Sequence, residues 1–323
     1  MILLSLADSH DLRPLPFYLA MEQWIAQKIP GEEALFTWVV RPTVIIGRHQ
    51  CLETEVDVEY CRSHDIDIVR RLSGGGCVYA DPDNLMISYV CPTHRPVSEV
   101  FAIFARNVAD TLRDLGLNAE VSGRNDILID GKKVSGCAYY HTGDHAIVHS
   151  TMLFGCNPAA MSLAITPERS KLALRGVKSV ASRITTISEH DPDITIRRFR
   201  SEIRHLTSGE HIITPAEEAE IRQIEARYHT TEHLQGRRLA GPALHKSQRI
   251  DGVGRVDVNL SVENGIITQA AIRGDFLTGQ TDVSVLENVL LGQRPGRICL
   301  DNIDVPGIIT GLSAARLTEI INQ

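Results

Sequence analysis

The sequence predicts an α+β protein: a mixed sheet packed with helices, followed by a small α+β domain at the C-terminal end. Three observations carry this. Strand-like runs and helix-like runs come in blocks rather than in strict βαβ alternation, which disfavours a doubly wound nucleotide fold. Two hairpin signals, Asp130-Gly131 and Asn264-Gly265, each sit between β-like runs and imply antiparallel pairing. The 323 residues, 43% hydrophobic and 23% charged, suffice for a sizeable core and two domains.

The elements follow in order. Residues 2 to 6 read as a strand. Phe17, Met21, Trp24 and Ile25 recur at helical spacing, so 16 to 28 is an amphipathic helix. "ALFTWVV" and "TVIIG" are β-branched and aromatic runs separated at Pro42. "DIDIVRR" is a strand entering the loop "SGGG", and "CVYA" and "LMISYV" are the next two strands. Residues 97 to 115 form the clearest long helix, ending near Gly116. "DILIDGKKVSG" is a hairpin and "HAIVHSTMLFG" a strand, and residues 157 to 230 read as helical with short breaks. "HLQGRRLAGPALHKS" is polar and glycine-bearing and predicts a linker, with a hinge near 235 to 246. Beyond it, "VGRVDVNLSV" and "IITQAAIRGDF" flank the second hairpin turn. Asp282 and Ser313 are expected to cap two final helices, and Gly292 to end the first of them. The division is therefore 1–240 for the large domain and 246–323 for the small one.

Net charge is −7 with no long basic run, which argues against nonspecific nucleic-acid binding. No stretch approaches the roughly 18 to 20 apolar residues of a membrane span. The N-terminus lacks a basic start and is interrupted by Asp8 and Asp11, so a cytoplasmic location is expected. Seven scattered cysteines without a CxxC pair suggest reduced thiols. His141, His145 and His149 invite a metal reading, but a spacing of four on one strand separates them by roughly 13 Å per step.

Two stretches could carry chemistry. In "RRLSGGGCVYADPDN", glycines allow close backbone approach, successive N–H groups can cradle an anion, and Arg70, Arg71 and Ser73 add charge and a hydroxyl. Neither GxxxxGK[ST] nor GxGxxG opening a helix is present, so composition alone leaves ligand binding and a plain bend both open. In "SGRNDILIDGKKVSGCAYY", Lys132 and Lys133 point to opposite faces, and parity puts Lys133 with Ile127 and Ile129. Asn125 and Asp126 could serve ribose, phosphate oxygens or magnesium.

These two segments and "KLALRGVKSVASRITTI" resemble the signature segments of the lipoate–protein ligase A family. "LAMEQW", "TVIIGRHQ" and the late "NGIITQAAIRGDF" match the same family in the same order, so the resemblance covers nearly the whole chain. It implies a biotin/lipoate ligase-like fold and a two-step reaction. Lipoate and ATP give lipoyl-AMP, and the lipoyl group passes to a lysine of a carrier: an E2 subunit of a 2-oxoacid dehydrogenase, the glycine cleavage H protein or a related domain. Mg²⁺ is expected with ATP, held mostly by phosphates and water. The chain is expected to act as a monomer. By the same resemblance Lys133 is the catalytic lysine, neutralising two negative groups that must meet. Arg71, Ser73, Gly74, Gly75, Gly76, Cys77, Val78, Tyr79, Asn125, Asp126, Ala138 and His149 are implied to bind lipoate and nucleotide, and no residue is assigned as a metal ligand.

The chain departs from the family pattern at Tyr18 for asparagine, Ala80 for histidine, Pro82-Asp83-Asn84 for Leu-Gly-Asn, Ser150 for glycine and Ala181 for arginine. Three rivals follow. A cysteine-dependent octanoyl or lipoyl transferase would need an activated thiol, with Cys77, Cys137 and Cys156 to consider. A transferase could use ready-made lipoyl-AMP. A non-catalytic lipoate-binding protein would have no use for Lys133.

Overall fold

The computed structural model describes residues 1–7, 12–29, 31–93, 95–123, 125–165, 183–236, 239 and 244–322. Ala181, most of "KLALRGVKSVASRITTI" and much of the expected hinge lie outside these. Packing divides the chain into two compact units. One comprises Met1–Ile45, Glu53–Val69 and Val78–Thr230; the other comprises Ile46–Leu52, Arg70–Cys77 and Thr231–Gln323.

The first unit is built on an eight-stranded sheet. Its strands are β1 (Ile2–Leu6), β2 (Ala34–Trp38), β6 (Asn84–Pro92), β7 (Ala119–Ser122), β8 (Asp126–Ile129), β9 (Lys132–Thr142), β10 (His145–Leu153) and β11 (Gly209–Ile213). The spatial order is β11-β1-β2-β6-β10-β9-β8-β7. β1 runs parallel to both β2 and β11, and the remaining pairs are antiparallel, so the sheet is mixed as expected. A smaller sheet orders β4 (Asp67–Arg70), β3 (Thr43–Ile46) and β5 (Val78–Ala80).

Helix α1 (Leu15–Lys28) is buried from Leu15 to Ala26, which explains its nearly all-apolar sequence. After the short α2 (Leu52–Glu55) and α3 (Val58–Ser63), α4 (Val97–Asp114) lies on the other face of the sheet. Its Val100, Phe104, Val108 and Leu112 recur every four residues and pack with Leu85, Ile87 and Tyr89, alternate residues of β6. Gly116, at φ +91°, ends it. α5 (Pro158–Ala164), α6 (Ile187–His190), α7 (Ile196–Ile203) and α8 (Pro215–Glu225) complete this unit, with Phe199 and Ile203 of α7 joining the α4 core.

The region expected to be helical with short breaks also contains a strand. β11 pairs in register with all of β1, from Ile2↔Gly209 to Leu6↔Ile213. As an edge strand with exposed positions, its "GEHII" shows little alternation, so no period-2 signal marked it.

The second unit contains α9 (Thr231–Gln235) and an antiparallel sheet of β12 (Leu244–Ile250), β13 (Gly254–Glu263) and β14 (Ile266–Gly274). Val256, Val258 and Leu260 alternate inward against α10 (Ser284–Leu290), α11 (Val305–Ile308) and α12 (Ala314–Asn322). Asn264 and Gly265 both take positive φ at the hairpin, as the turn type demands. Ser313 Oγ accepts the Arg316 N–H as the expected cap. Asp282 accepts the Ser284 N–H one residue ahead of the helix's cap position. Among the described residues no helix is long and apolar enough to cross a membrane.

Candidate active site

The first unit positions Lys133 on the β8–β9 hairpin. Asp130 and Gly131 both have positive φ, 49° and 77°, which closes the two-residue turn. The turn pairs Ile129 with Lys132 and Leu128 with Lys133, followed by a bulge. Cross-strand partners share a face, so Lys133 lies with Leu128, and the expectation that it joins Ile127 and Ile129 is corrected. Those two isoleucines point into the core and are fully buried. Parity was counted across the turn as if the strand ran straight through it.

The Lys133 backbone is held on both sides. Its N–H donates to Arg183 O (2.9 Å) and its carbonyl accepts from Thr185 N–H (2.8 Å). With the Cα fixed, the side chain crosses Gly136: a Cβ there would lie 2.8 Å from Nζ and 2.9 Å from Cε. Gly136 is thus a glycine because the lysine occupies its side-chain space. Nζ forms an ion pair with Asp126 Oδ1 at 2.7 Å, and both side chains stay more than a third exposed. A pair this wet contributes about 0–1 kcal/mol, so an incoming anion can take the ammonium from Asp126. Asn125 pins the neighbouring strand, donating from Nδ2 to Cys137 O (2.9 Å) and accepting Cys137 N–H at its own carbonyl (2.8 Å). Sequence-predicted Lys133, Asp126 and Asn125 are therefore brought together.

Ala138 and His149 are direct partners in the β9–β10 ladder. His141 is on β9 and His145 and His149 on β10, so the three do not share one strand. Among the described residues no group of three or more His, Cys, Asp or Glu could hold a metal ion. His149 Nδ1 lies 3.0 Å from Oε1 of Glu22, which is fully buried in α1. Ser88 Oγ donates to the same oxygen (2.6 Å), Tyr140 O–H donates to the other (3.3 Å), and Trp38 Nε1 donates to Ser88 Oγ (2.9 Å). Burial, reinforced by Glu22, pushes the Tyr140 phenol well above its ordinary pKa, so it remains a donor. Sequence reasoning missed Glu22, Ser88, Tyr140 and Trp38 as a group. The available signal was the carboxylate inside "LAMEQW", an acid in an otherwise apolar helix.

Val78 and Tyr79 pair with Ile45 and Val44 in the small sheet. Ala80, where a histidine was expected, is fully buried opposite Thr43. In the following turn Asp81 accepts from Asp83 N–H (3.0 Å) and Asn84 Nδ2 (2.6 Å). Burial pushes the Cys137 thiol up to about 12 and raises Cys156 as well, the opposite of the shift that activates a cysteine nucleophile.

In the second unit the glycine loop is built from the inside out. Arg71 is buried and turns back into the loop: Nε donates to Ser73 Oγ (2.8 Å), and one terminal nitrogen donates to Gly74 O (2.7 Å) and Gly76 O (2.8 Å). In a trans peptide the carbonyl and the next N–H point opposite ways, so these bonds turn the Gly75 and Cys77 amides to the other side. Gly75 has φ +89°, a conformation that favours glycine. Its N–H donates to Phe276 O (2.8 Å). Gly74 packs so closely that a Cβ would lie 2.5 Å from the same Phe276 oxygen. Arg70, not singled out for a role of its own, donates to the carbonyls of Gly47 (2.8 Å), Gln50 (2.8 Å) and Leu234 (2.9 Å). Burial lowers both guanidinium pKa values to about 10, and both remain charged at neutral pH. A Cβ on Gly47 of "TVIIGRHQ" would meet Gly75 O at 2.0 Å, which ties that motif to the loop. The loop is therefore an organised backbone surface over two buried cations.

Residues 14–205 match the family described as "Lipoyl protein ligase A/B catalytic domain", and residues 243–321 match "Bacterial lipoate protein ligase C-terminus". Lipoate-protein ligase LplJ of Bacillus subtilis is 33% identical over 309 residues, 92% of each chain. Among solved structures, the bi-partite lipoate protein ligase of Thermoplasma acidophilum, described with its E2 lipoyl domain, aligns at TM-score 0.66 and 26% identity, covering 74% of this chain and 98% of that one. A lipoate-protein ligase A bound with ATP aligns at TM-score 0.62 and 25% identity, covering 73% and 98%.

Proposed function

The chain belongs to the lipoate–protein ligase family, and from that premise we propose that it joins lipoate to carrier proteins in two ATP-dependent steps. In the first, the lipoate carboxylate attacks the α-phosphorus of ATP, pyrophosphate leaves and lipoyl-AMP forms. In the second, the neutral amine of a carrier lysine attacks the acyl carbonyl, AMP leaves and an amide forms.

Lys133 is the observation that carries this reading. Its backbone is fixed, its ammonium is accessible, and its ion-pair partner among the described residues, Asp126, holds it weakly. A cation so placed lets two negative reactants approach and offsets charge as the new P–O bond forms. Arg71 organises the loop whose amides would face phosphate oxygens, with Ser73, Gly74, Gly75, Gly76 and Cys77 supplying the backbone. Asn125 and Asp126 would serve the nucleotide side, and Ala138 and His149 the acyl side. Mg²⁺ would come with the nucleotide, held mostly on its phosphates. The ATP-bound relative supports the nucleotide, and the T. acidophilum ligase with its E2 lipoyl domain supports the carrier class. The reading includes a catalytic domain 1–240, an accessory domain 246–323, and a cytoplasmic monomer.

The test supplies ATP, lipoate and an apo lipoyl domain and follows pyrophosphate together with carrier mass. Both signals are expected, and both are lost in Lys133→Ala. Carrier modification without ATP would overturn the reading in favour of a thiol transferase. Modification from supplied lipoyl-AMP alone would reduce it to the transfer step.

A further inference from the structure

A cavity of about 230 Å³ in the first unit lies at the ends of β1 and β2, under α7. Its walls are mostly apolar and include Leu4, Leu6, Met21 and Phe36. Ser5, Thr37 and Arg204 interrupt the apolar lining, and so do Arg200 and Tyr18, which have donor hydrogens to spare. Arg200 of α7 donates through Nε to Thr37 Oγ1 (3.0 Å), and its two terminal nitrogens have no partner among the described residues. Tyr18 accepts the Arg13 N–H at 3.4 Å, and its phenolic hydrogen has no acceptor among the described residues. The ring of Tyr18 is stacked on Trp38 with centroids 4.9 Å apart, which fixes the hydroxyl.

Two of the charges nearby are matched among the described residues. Arg204 pairs with Glu210 (2.7 Å) and Arg13 with Glu218 (3.3 Å). No described carboxylate pairs with Arg200. Burial lowers the Arg200 pKa, with only the Tyr18 phenol acting the other way, and burial raises that of Tyr18. Among the described residues, the Arg200 terminal nitrogens and the Tyr18 hydroxyl thus carry hydrogens that no acceptor takes. A partly desolvated guanidinium with no carboxylate partner among the described residues is favourably placed to take an entering anion.

We propose that this cavity is a binding site for a small carboxylate with a short aliphatic chain. The carboxylate would lie on the Arg200 fork and the Tyr18 hydroxyl, and the chain against Leu6, Met21 and Phe36. The volume equals that of on the order of eight waters. That admits a short acid and lies below the roughly 300 Å³ of drug-sized pockets. The site is separate from Lys133: β2 and β9 are three strand positions apart in the sheet, roughly 15 Å. Tyr18 replaces the asparagine of the family pattern, so this donor pair belongs to this chain.

The experiment titrates hexanoate into the full-length protein by calorimetry, first alone and then with lipoate at saturation. Lipoate binding is measured separately, so a failed ligase reading shows itself independently. One equivalent of hexanoate is expected to bind in the presence of lipoate, and hexylamine not at all. Arg200→Met should weaken hexanoate at least tenfold, Arg200→Lys should fall between, and Tyr18→Phe should weaken it a few-fold. Absence of hexanoate binding to the wild-type protein would overturn the proposal. So would exclusion of hexanoate by lipoate, or unchanged affinity in both folded Arg200→Lys and Tyr18→Phe.

Discussion

Gly136→Ala separates the position of Lys133 from the stability of the sheet that carries it. Gly136 lies within β9, and its φ is not in the left-handed region, so alanine adds no backbone strain. The new methyl would sit 2.8 Å from Nζ and 2.9 Å from Cε of Lys133. Relief to an ordinary contact of 3.4 Å moves the ammonium by about 0.6 Å (3.4 − 2.8). The displaced atoms are the far end of a flexible chain, so folding should change by less than about 1 kcal/mol. Reaction geometry is less forgiving: a misplacement near 1 Å can cost about 10²-fold in rate. The variant should therefore melt within a few degrees of wild type and lose about 10- to 100-fold in kcat/KM for pyrophosphate release. Wild-type activity in the folded variant would refute the claim that Lys133 must stand where it does. A collapse in stability would refute the claim that only the lysine tip fills that space.

Three further outcomes follow from the structure. Glu22→Ala leaves the Ser88, Tyr140 and His149 donors without their buried acceptor; at roughly 1–3 kcal/mol per group, urea unfolding should show a loss of at least about 3 kcal/mol, and a loss under about 0.5 would contradict the network. His49 stacks on Phe276, with its Nε2 sealed from water and without a partner. Burial first, then Arg48, lowers its pKa to about 3. A depressed folded pKa favours the neutral ring, so its contribution is complete above about 6.5 and fades as pH falls from there towards 3, by at most roughly 1.4 kcal/mol per unit. His49→Phe should keep the stack and flatten the fall in urea midpoint between pH 7 and 5; an unchanged slope would count against it. Finally, the Gly75 amide should exchange with deuterium at a different rate once ATP is added, because its acceptor must change from Phe276 O to a phosphate oxygen; identical rates would argue that this amide never meets nucleotide.

What was legible in the sequence was what local chemistry dictates. Asp130-Gly131 and Asn264-Gly265 could be read because only a few residue types tolerate their backbone angles, and both turns stand where expected. The α4 helix could be read because Val100, Phe104, Val108 and Leu112 repeat every four residues against one sheet face. β11 could not, since its reason for existing is β1, about two hundred residues away, and an edge strand need not alternate. Lys133 stood out through its motif, but its face did not, because a two-residue turn reverses the bookkeeping of parity. Glu22 was visible as an acid in an apolar helix. Its partners come from β2, β6, β9 and β10, and only the folded sheet brings Trp38, Ser88, Tyr140 and His149 to it.

The two arginines before the glycines were expected to add charge at the loop, and their geometry shows how they do so. Arg70 holds the carbonyls of Gly47 and Gln50, and Arg71 holds those of Gly74 and Gly76. Neither fork is directed outward as a free clamp, yet both charges persist beneath the backbone. A carbonyl drawn inward by a guanidinium sends the following amide outward, so the cations set the direction of the donors and add positive potential behind them. The Gly75 amide has an acceptor already, the Phe276 carbonyl, a neutral group. A phosphate oxygen offers the same amide a charge-assisted bond, roughly twice as strong, and gains from the two buried cations as the carbonyl does not. On the proposed function, exchange of Phe276 O for phosphate would draw on both of these electrostatic gains. The proposed function thus treats the loop as a donor surface whose Gly75 acceptor, Phe276 O, gives way to phosphate, rather than as a bare turn.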